Sequence, residues 1–103
     1  MKKTTFYIGL NDKDSKQQEI STVDAFKMVT NIFNTLTDGA TIRGNCKGIY
    51  KHIDGTQVIE ETLEAFCFDL NDEAIKNLVM ILKQVLNQES ILVINENVNS
   101  QFM

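Results

Sequence analysis

The apolar positions change period along the chain, and each change marks an element. Thr4-Thr5-Phe6-Tyr7-Ile8-Gly9-Leu10 is a short β-rich run, and Asn11 to Glu19 is polar throughout, which reads as a loop. Ser21 then has the chemistry of a helix cap, with Asp24 at N3 and Ile20 placed to staple onto Ala25. Phe26, Val29, Ile32, Phe33 and Leu36 recur at intervals of three and four, the mark of one apolar helix face, and Asp38-Gly39 ends it. Thr41–Ile53 and Thr56–Leu70 are again β-rich. Asp54-Gly55 between them predicts a two-residue hairpin turn. Asn71 or Asp72 caps a second helix whose apolar face is Ile75, Leu78, Val79, Leu82 and Leu86. Asn87-Gln88-Glu89 closes that helix, and Ser90–Ile94 is the last strand.

The order β-α-β-β-α-β, with right-handed crossovers, predicts a ferredoxin-like α+β fold over residues 1–103. Its antiparallel four-stranded sheet, in the order 4-1-3-2, carries both helices on one face. With Ile53 paired to Thr56, one hairpin face carries Ile42, Gly44, Cys46, Gly48, Tyr50, Ile59, Leu63, Ala65 and Cys67 and becomes the core side. The other carries Arg43, Lys47, Ile49, Val58, Glu60, Glu64, Phe66 and Phe68. A bulge anywhere in the hairpin would exchange the faces beyond it. Glu60 and Glu64 are expected to pair across strands with Lys47, Lys51 or Arg43.

An uncovered sheet face bearing Arg43, Ile49, Val58, Phe66 and Phe68 holds more apolar surface than solvent exposure explains. It predicts a homodimer joined through that face, with a host protein as a further possible partner. Net charge is −4 from 10 cations and 14 anions, which argues against nucleic-acid binding through bulk charge and against attraction to anionic membranes. The apolar runs are too short to span a bilayer. Lys2-Lys3 before a run of about five apolar residues reads as a first strand rather than a signal peptide, so a cytoplasmic setting is expected. Nine lysines among the cations and ten asparagines suggest the AT-rich coding of a low-GC bacterium or its phages.

Candidate chemistry is sparse. The topology gathers Asn11, Asp12, Tyr50, His52, Asp54, Gln88, Glu89 and Ser90 at one end of the domain, near the start of the first helix. Tyr50, His52, Gln88, Glu89 and Ser90 form the candidate polar cluster. A carboxylate, a histidine and a tyrosine there could serve as acid, base and orienting donor. Glu89 opposes the negative end of the second helix, and is expected to accept backbone hydrogen bonds from the first crossover loop or the first helix N-terminus. Cys46 and Cys67 match no zinc spacing and one histidine leaves too few soft ligands, so neither metal nor cofactor is expected. The register puts the thiols about 13 Å apart, beyond the disulfide limit of about 7 Å, and two buried inert thiols are expected.

Several strings together resemble a family of small bacterial proteins known only as a domain of unknown function. They are Phe6-Tyr7-Ile8-Gly9-Leu10, Asp38-Gly39-Ala40-Thr41-Ile42, Gly48-Ile49-Tyr50 with Asp54-Gly55, Glu60 with Thr62, and Asn87-Gln88-Glu89-Ser90-Ile91-Leu92. Members often have tryptophan in place of Tyr50, and similar chains occur in low-GC bacteria and their mobile elements. The resemblance marks Gly48, Tyr50, Glu60, Gln88, Glu89 and Ser90 as positions of interest and implies no activity. Two readings follow. The leading one is a non-enzymatic interaction module, an accessory or inhibitory protein of a phage or mobile element. The rival is a small enzyme or ligand-binding protein that uses the polar end.

Overall fold

A computed structural model describes residues 1–103. The elements run β1 (Lys2–Gly9), α1 (Thr22–Leu36), β2 (Thr41–Lys51), β3 (Gln57–Phe68), α2 (Asp72–Val85) and β4 (Leu92–Asn97). The sheet is antiparallel in the order β2-β3-β1-β4, the ferredoxin-like α+β arrangement. No helix is long and apolar enough to cross a membrane.

Both helix starts follow from their caps. Ser21 Oγ accepts the Asp24 N–H at 3.1 Å, and Asn71 Oδ1 accepts that of Ala74 at 2.8 Å; each satisfies one orphan donor of a first turn. At the far end of α2, Asn87 takes a left-handed φ of 48° and the Gln88 N–H reaches back to the Lys83 carbonyl at 2.9 Å. That is the Schellman closure, and it turns the chain toward β4. The end of α1 differs from the expectation: Thr37, not Asp38-Gly39, ends it, with its hydroxyl and N–H both directed to the Phe33 carbonyl.

The core lies between the helices and one sheet face. Phe6, Ile8, Leu63, Ala65 and Cys67 meet Ala25, Val29 and Phe33 of α1 and Ile75, Leu78 and Leu82 of α2. Phe6 and Phe33 pack edge-on with centroids 5.4 Å apart, the arrangement aromatic quadrupoles favour. The α2 face is as expected. On α1 the buried stripe is Ala25-Val29-Phe33, while Phe26 and Leu36 stay exposed; the i, i+4 row turns the small Ala25 inward.

The hairpin departs from the expected register twice. The turn is not two residues long: the His52 N–H bonds the Thr56 carbonyl, the Gly55 N–H bonds the His52 carbonyl, and Gly55 has φ 88°. A three-residue loop with glycine in the left-handed position shifts the pairing by one, so Lys51 faces Gln57 and Tyr50 faces Val58. Between Arg43 and Cys46 the register shifts again. Two residues there, Gly44 and Asn45, oppose Leu63 alone, and Asn45 has φ 58°, which makes a bulge.

Pairing past the bulge therefore puts Cys46, Gly48 and Tyr50 on the open face, opposite Thr62, Glu60 and Val58, not on the core side. Ile49 goes the other way, pairing with Ile59 on the helix side of the sheet, where both are exposed. Of the five proposed interface residues, Arg43, Val58, Phe66 and Phe68 share the open face and Ile49 does not. The thiols are both free, Cys67 buried and Cys46 only half-buried. Arg43 pairs with Glu64 at 3.2 Å as expected, but Lys47 pairs with Glu61, because the shifted register sets those two opposite each other.

Candidate functional site

The open face is divided in two. One end carries Phe66 and Phe68, edge-to-face with centroids 5.9 Å apart, and the Lys3 ammonium lies 4.3 Å from the Phe66 ring centre. Ile94 reaches the same face through its pairing with Thr5. The other end, beside the hairpin turn, is hollowed into a cavity of about 520 Å³, within the size range of small-molecule sites.

The sheet forms the cavity floor, with Tyr7 and Gly9 from β1, Gly48 and Tyr50 from β2, Val58, Glu60 and Thr62 from β3, and Leu92 from β4. The loop after β1 forms one wall through Asn11, Asp12, Lys13 and Lys16; Gln88, Glu89 and Ser90 form another, and His52 stands at the rim beside Ile49. All five residues of the predicted polar cluster line this one cavity. Asp54 and the N-terminus of α1 do not. Asp54 instead spends its carboxylate on the Thr56 N–H at 2.9 Å, which holds it below the usual carboxylate range.

Glu60 is the residue that spacing alone misassigned. Rather than pairing with a lysine, its carboxylate leans toward β1 and accepts the Asn11 N–H at 2.9 Å. Just past β1, the Leu10 N–H still bonds the β3 backbone, at the Glu61 carbonyl. The next donor is taken by a side chain. Glycines on both neighbouring strands accompany this arrangement. A β-carbon on Gly9 would lie under 3.0 Å from all three atoms of the Glu60 carboxylate. A β-carbon on Gly48 would lie 2.9 Å from Thr62 Oγ1 and 3.6 Å from Glu60 Cγ. Glycine inside a strand is the sequence mark of such close approach, and it was the available signal for Glu60.

The walls are braced by short hydrogen bonds. Asp12 accepts the N–H groups of Asp14 and Ser15 and the Asn87 amide; Asn87 first and Ser15 next hold its carboxyl below the usual range. Asn87 also donates to Asp14 at 2.9 Å, and its carbonyl accepts the Lys13 N–H at 3.0 Å. Gln88, the one buried member of the cluster, donates its amide to the Asn11 carbonyl at 2.8 Å and to that of Leu86 at 3.3 Å. Glu89 was expected to tie strand to loop, but it makes no such bond. Its side chain is exposed at the cavity edge, and Gln88 and Glu60 form the tie. The reason is polarity: Asn11 turns its carbonyl toward Gln88, which a carboxylate could not serve, and its N–H is already taken by Glu60.

Tyr50 stands edge-on to His52, with ring centres 5.6 Å apart. Its phenol is pushed above the ordinary value by burial first, then by the negative charges of Glu60 and Glu89. The phenol thus keeps its proton and can donate it in a hydrogen bond to a ligand. Lys13 and Lys16 bring positive charge from the loop wall, the latter with its ammonium on the Lys13 carbonyl and a left-handed φ of 64°. Spacing gave no hint of these two lysines, which lie in a polar run without periodicity. Chemically, the cavity offers aromatic surface, the carboxylates of Asp12, Glu60 and Glu89, and the ammonium groups of Lys13 and Lys16 to a ligand bearing both signs of charge.

No protein-family model matches the chain, and no curated protein matches it in sequence. Among solved structures the fold is similar to that of a phage SAM lyase in complex with S-methyl-5′-thioadenosine. The TM-score is 0.67 at 20% identity, covering 92% of this chain and 79% of that one. A phage SAM lyase in the apo state gives a TM-score of 0.64 at 21% identity, covering 92% and 78%. Identity at this level establishes a shared fold; function has to be argued from the site.

Proposed function

We propose that the chain binds SAM in the open-face cavity and cleaves it as a lyase, releasing S-methyl-5′-thioadenosine, in the setting of a phage or mobile element. The observation that carries the reading is the Glu60 carboxylate at the cavity floor with Tyr50 and Glu89 beside it. SAM has a sulfonium and an α-ammonium, either of which a carboxylate pair attracts. The face of Tyr50 suits a cation or a purine ring, and Lys13 and Lys16 suit the α-carboxylate. Likeness in fold to a phage SAM lyase adds support to this site-based argument.

The proposed step is internal. An α-carboxylate oxygen attacks the γ-carbon of the methionyl chain, and the γ-carbon–sulfur bond breaks with its electron pair left on sulfur. A five-membered lactone and neutral S-methyl-5′-thioadenosine result, and neither a proton nor a co-reactant is consumed. The chain then has to supply binding and a folded-back substrate, the orientation effect that raises effective molarity. Opposite charges cancel in this step, so exclusion of water from the cavity favours it. A second copy seated on the open face would provide that cover. The exposed Phe68 and Ile94, next to the partly buried Phe66, support self-association there.

The test is incubation of purified protein with SAM, with S-methyl-5′-thioadenosine followed by chromatography and mass spectrometry, alongside Glu60→Gln and Glu89→Gln. Release by the wild type, lowered at least tenfold in Glu60→Gln, is the expected result. Wild-type protein that neither binds nor cleaves SAM at millimolar concentration sinks the proposal and favours the interaction module.

A further inference from the structure

Glu60 and Thr62 project from the same face of β3, and they lie in opposite directions. Thr62 Oγ1 comes within 2.9 Å of where a β-carbon of Gly48 would stand, toward β2. The Glu60 carboxylate lies over Gly9, toward β1, where it meets the Asn11 N–H. Register explains why the carboxylate crosses to β1: Gly9 is directly opposite Thr62, so the position diagonal to Glu60 has no side chain. Neither glycine has a positive φ, since Gly55 alone of the glycines does. Their lack of a side chain therefore serves space rather than backbone conformation.

We infer that Gly9 is a positioning residue: its missing β-carbon is the space in which the Glu60 carboxylate lies, and that space makes Glu60 the floor of the cavity. An alanine there would overlap the carboxylate and drive it away from the Asn11 N–H. Glu60 would then rotate into the volume that the ligand needs, or out toward the hairpin. This inference rests on the reading of the cavity as a SAM site only for its consequence in activity; the steric claim stands without a ligand.

The experiment is a double-mutant cycle of Gly9→Ala, Glu60→Ala and the two combined, with Gly39→Ala as control because nothing lies within 4 Å of a β-carbon there. Three quantities are read: the thermal midpoint, hydrogen exchange of the Asn11 amide, and SAM binding and turnover. Gly9→Ala is expected to lower both the Asn11 protection factor and SAM turnover at least tenfold, as Glu60→Ala does. Adding Gly9→Ala to Glu60→Ala should then change neither further, and the double variant should melt at or above Gly9→Ala. Such non-additivity marks direct coupling. If Gly9→Ala does not fold while the double variant does, the inference is supported. Equal losses from Gly9→Ala in both backgrounds, failure of both to fold, or an Asn11 amide still protected in Gly9→Ala would overturn it. The exchange and melting arms need no ligand, so a wild type inert toward SAM removes the proposed function and leaves Gly9 to be decided by the cycle.

Discussion

Gln88 and Glu89 are adjacent, both polar and both at the cavity, yet their removal should have opposite consequences. Gln88 is buried, and its amide nitrogen holds two carbonyls, Asn11 at 2.8 Å and Leu86 at 3.3 Å. Truncation to alanine leaves the Asn11 carbonyl, half-buried in the loop, and the Leu86 carbonyl, just past the end of α2, without this donor. A buried polar group left unpaired costs about 1–3 kcal/mol, and the longer bond is at the weak end of the range. We therefore expect Gln88→Ala to cost about 2–3 kcal/mol, which lowers the melting temperature of a domain of this size by about 10–20 °C. Gln88→Glu should be no better, because it sets carboxylate oxygens against two carbonyls. Glu89 is exposed and holds no hydrogen bond, so Glu89→Ala should stay within about 0.5 kcal/mol of the wild type, the usual range for such surface changes. Thermal unfolding by circular dichroism measures all three. Equal destabilisation by Gln88→Ala and Glu89→Ala would refute the reasoning, since it would mean that Glu89 carries a backbone contact of its own.

Four further outcomes are expected. Wild-type protein should be a dimer by light scattering and Phe66→Glu a folded monomer, since burying one phenylalanine ring is worth about 1.5–3 kcal/mol; a wild type that is monomeric at high micromolar concentration removes the interface. Thiol labelling without denaturant should reach Cys46 well before Cys67. Burial pushes the Cys67 thiol up, so the folded state holds its proton longer than the unfolded chain. Stability should then be full below the ordinary thiol pKa and fall as pH rises through the raised one, a slope that Cys67→Ala should reduce. Asp12 is held below the usual carboxylate range by Asn87 and the Ser15 N–H; the loop it closes should be stable above that range and loosen as pH falls through the depressed value. Faster exchange of the Asp14 and Ser15 amides reports the loosening, and Asp12→Ala should show it at neutral pH.

The chain's local chemistry determines the order of elements, the two helix caps at Ser21 and Asn71, the inward face of α2 and the end of the domain at which polar residues gather. The first three depend on neighbours within one or two turns, so period and capping chemistry suffice to read them, and the last follows from the element order once the crossovers are right-handed. What tertiary structure decides is which way the hairpin faces. A glycine at the third loop position and two residues against one at Gly44-Asn45 each move the register by a single residue, and a strand's side chains alternate, so a single step exchanges faces. Those steps carry Tyr50, Gly48 and Cys46 to the open side and Ile49 away from it. The role of Glu60 depends on the same placement. Its partner is a backbone N–H beyond the end of another strand, reached across a glycine 51 positions away in sequence, and no local pattern encodes a space that only the assembled sheet creates.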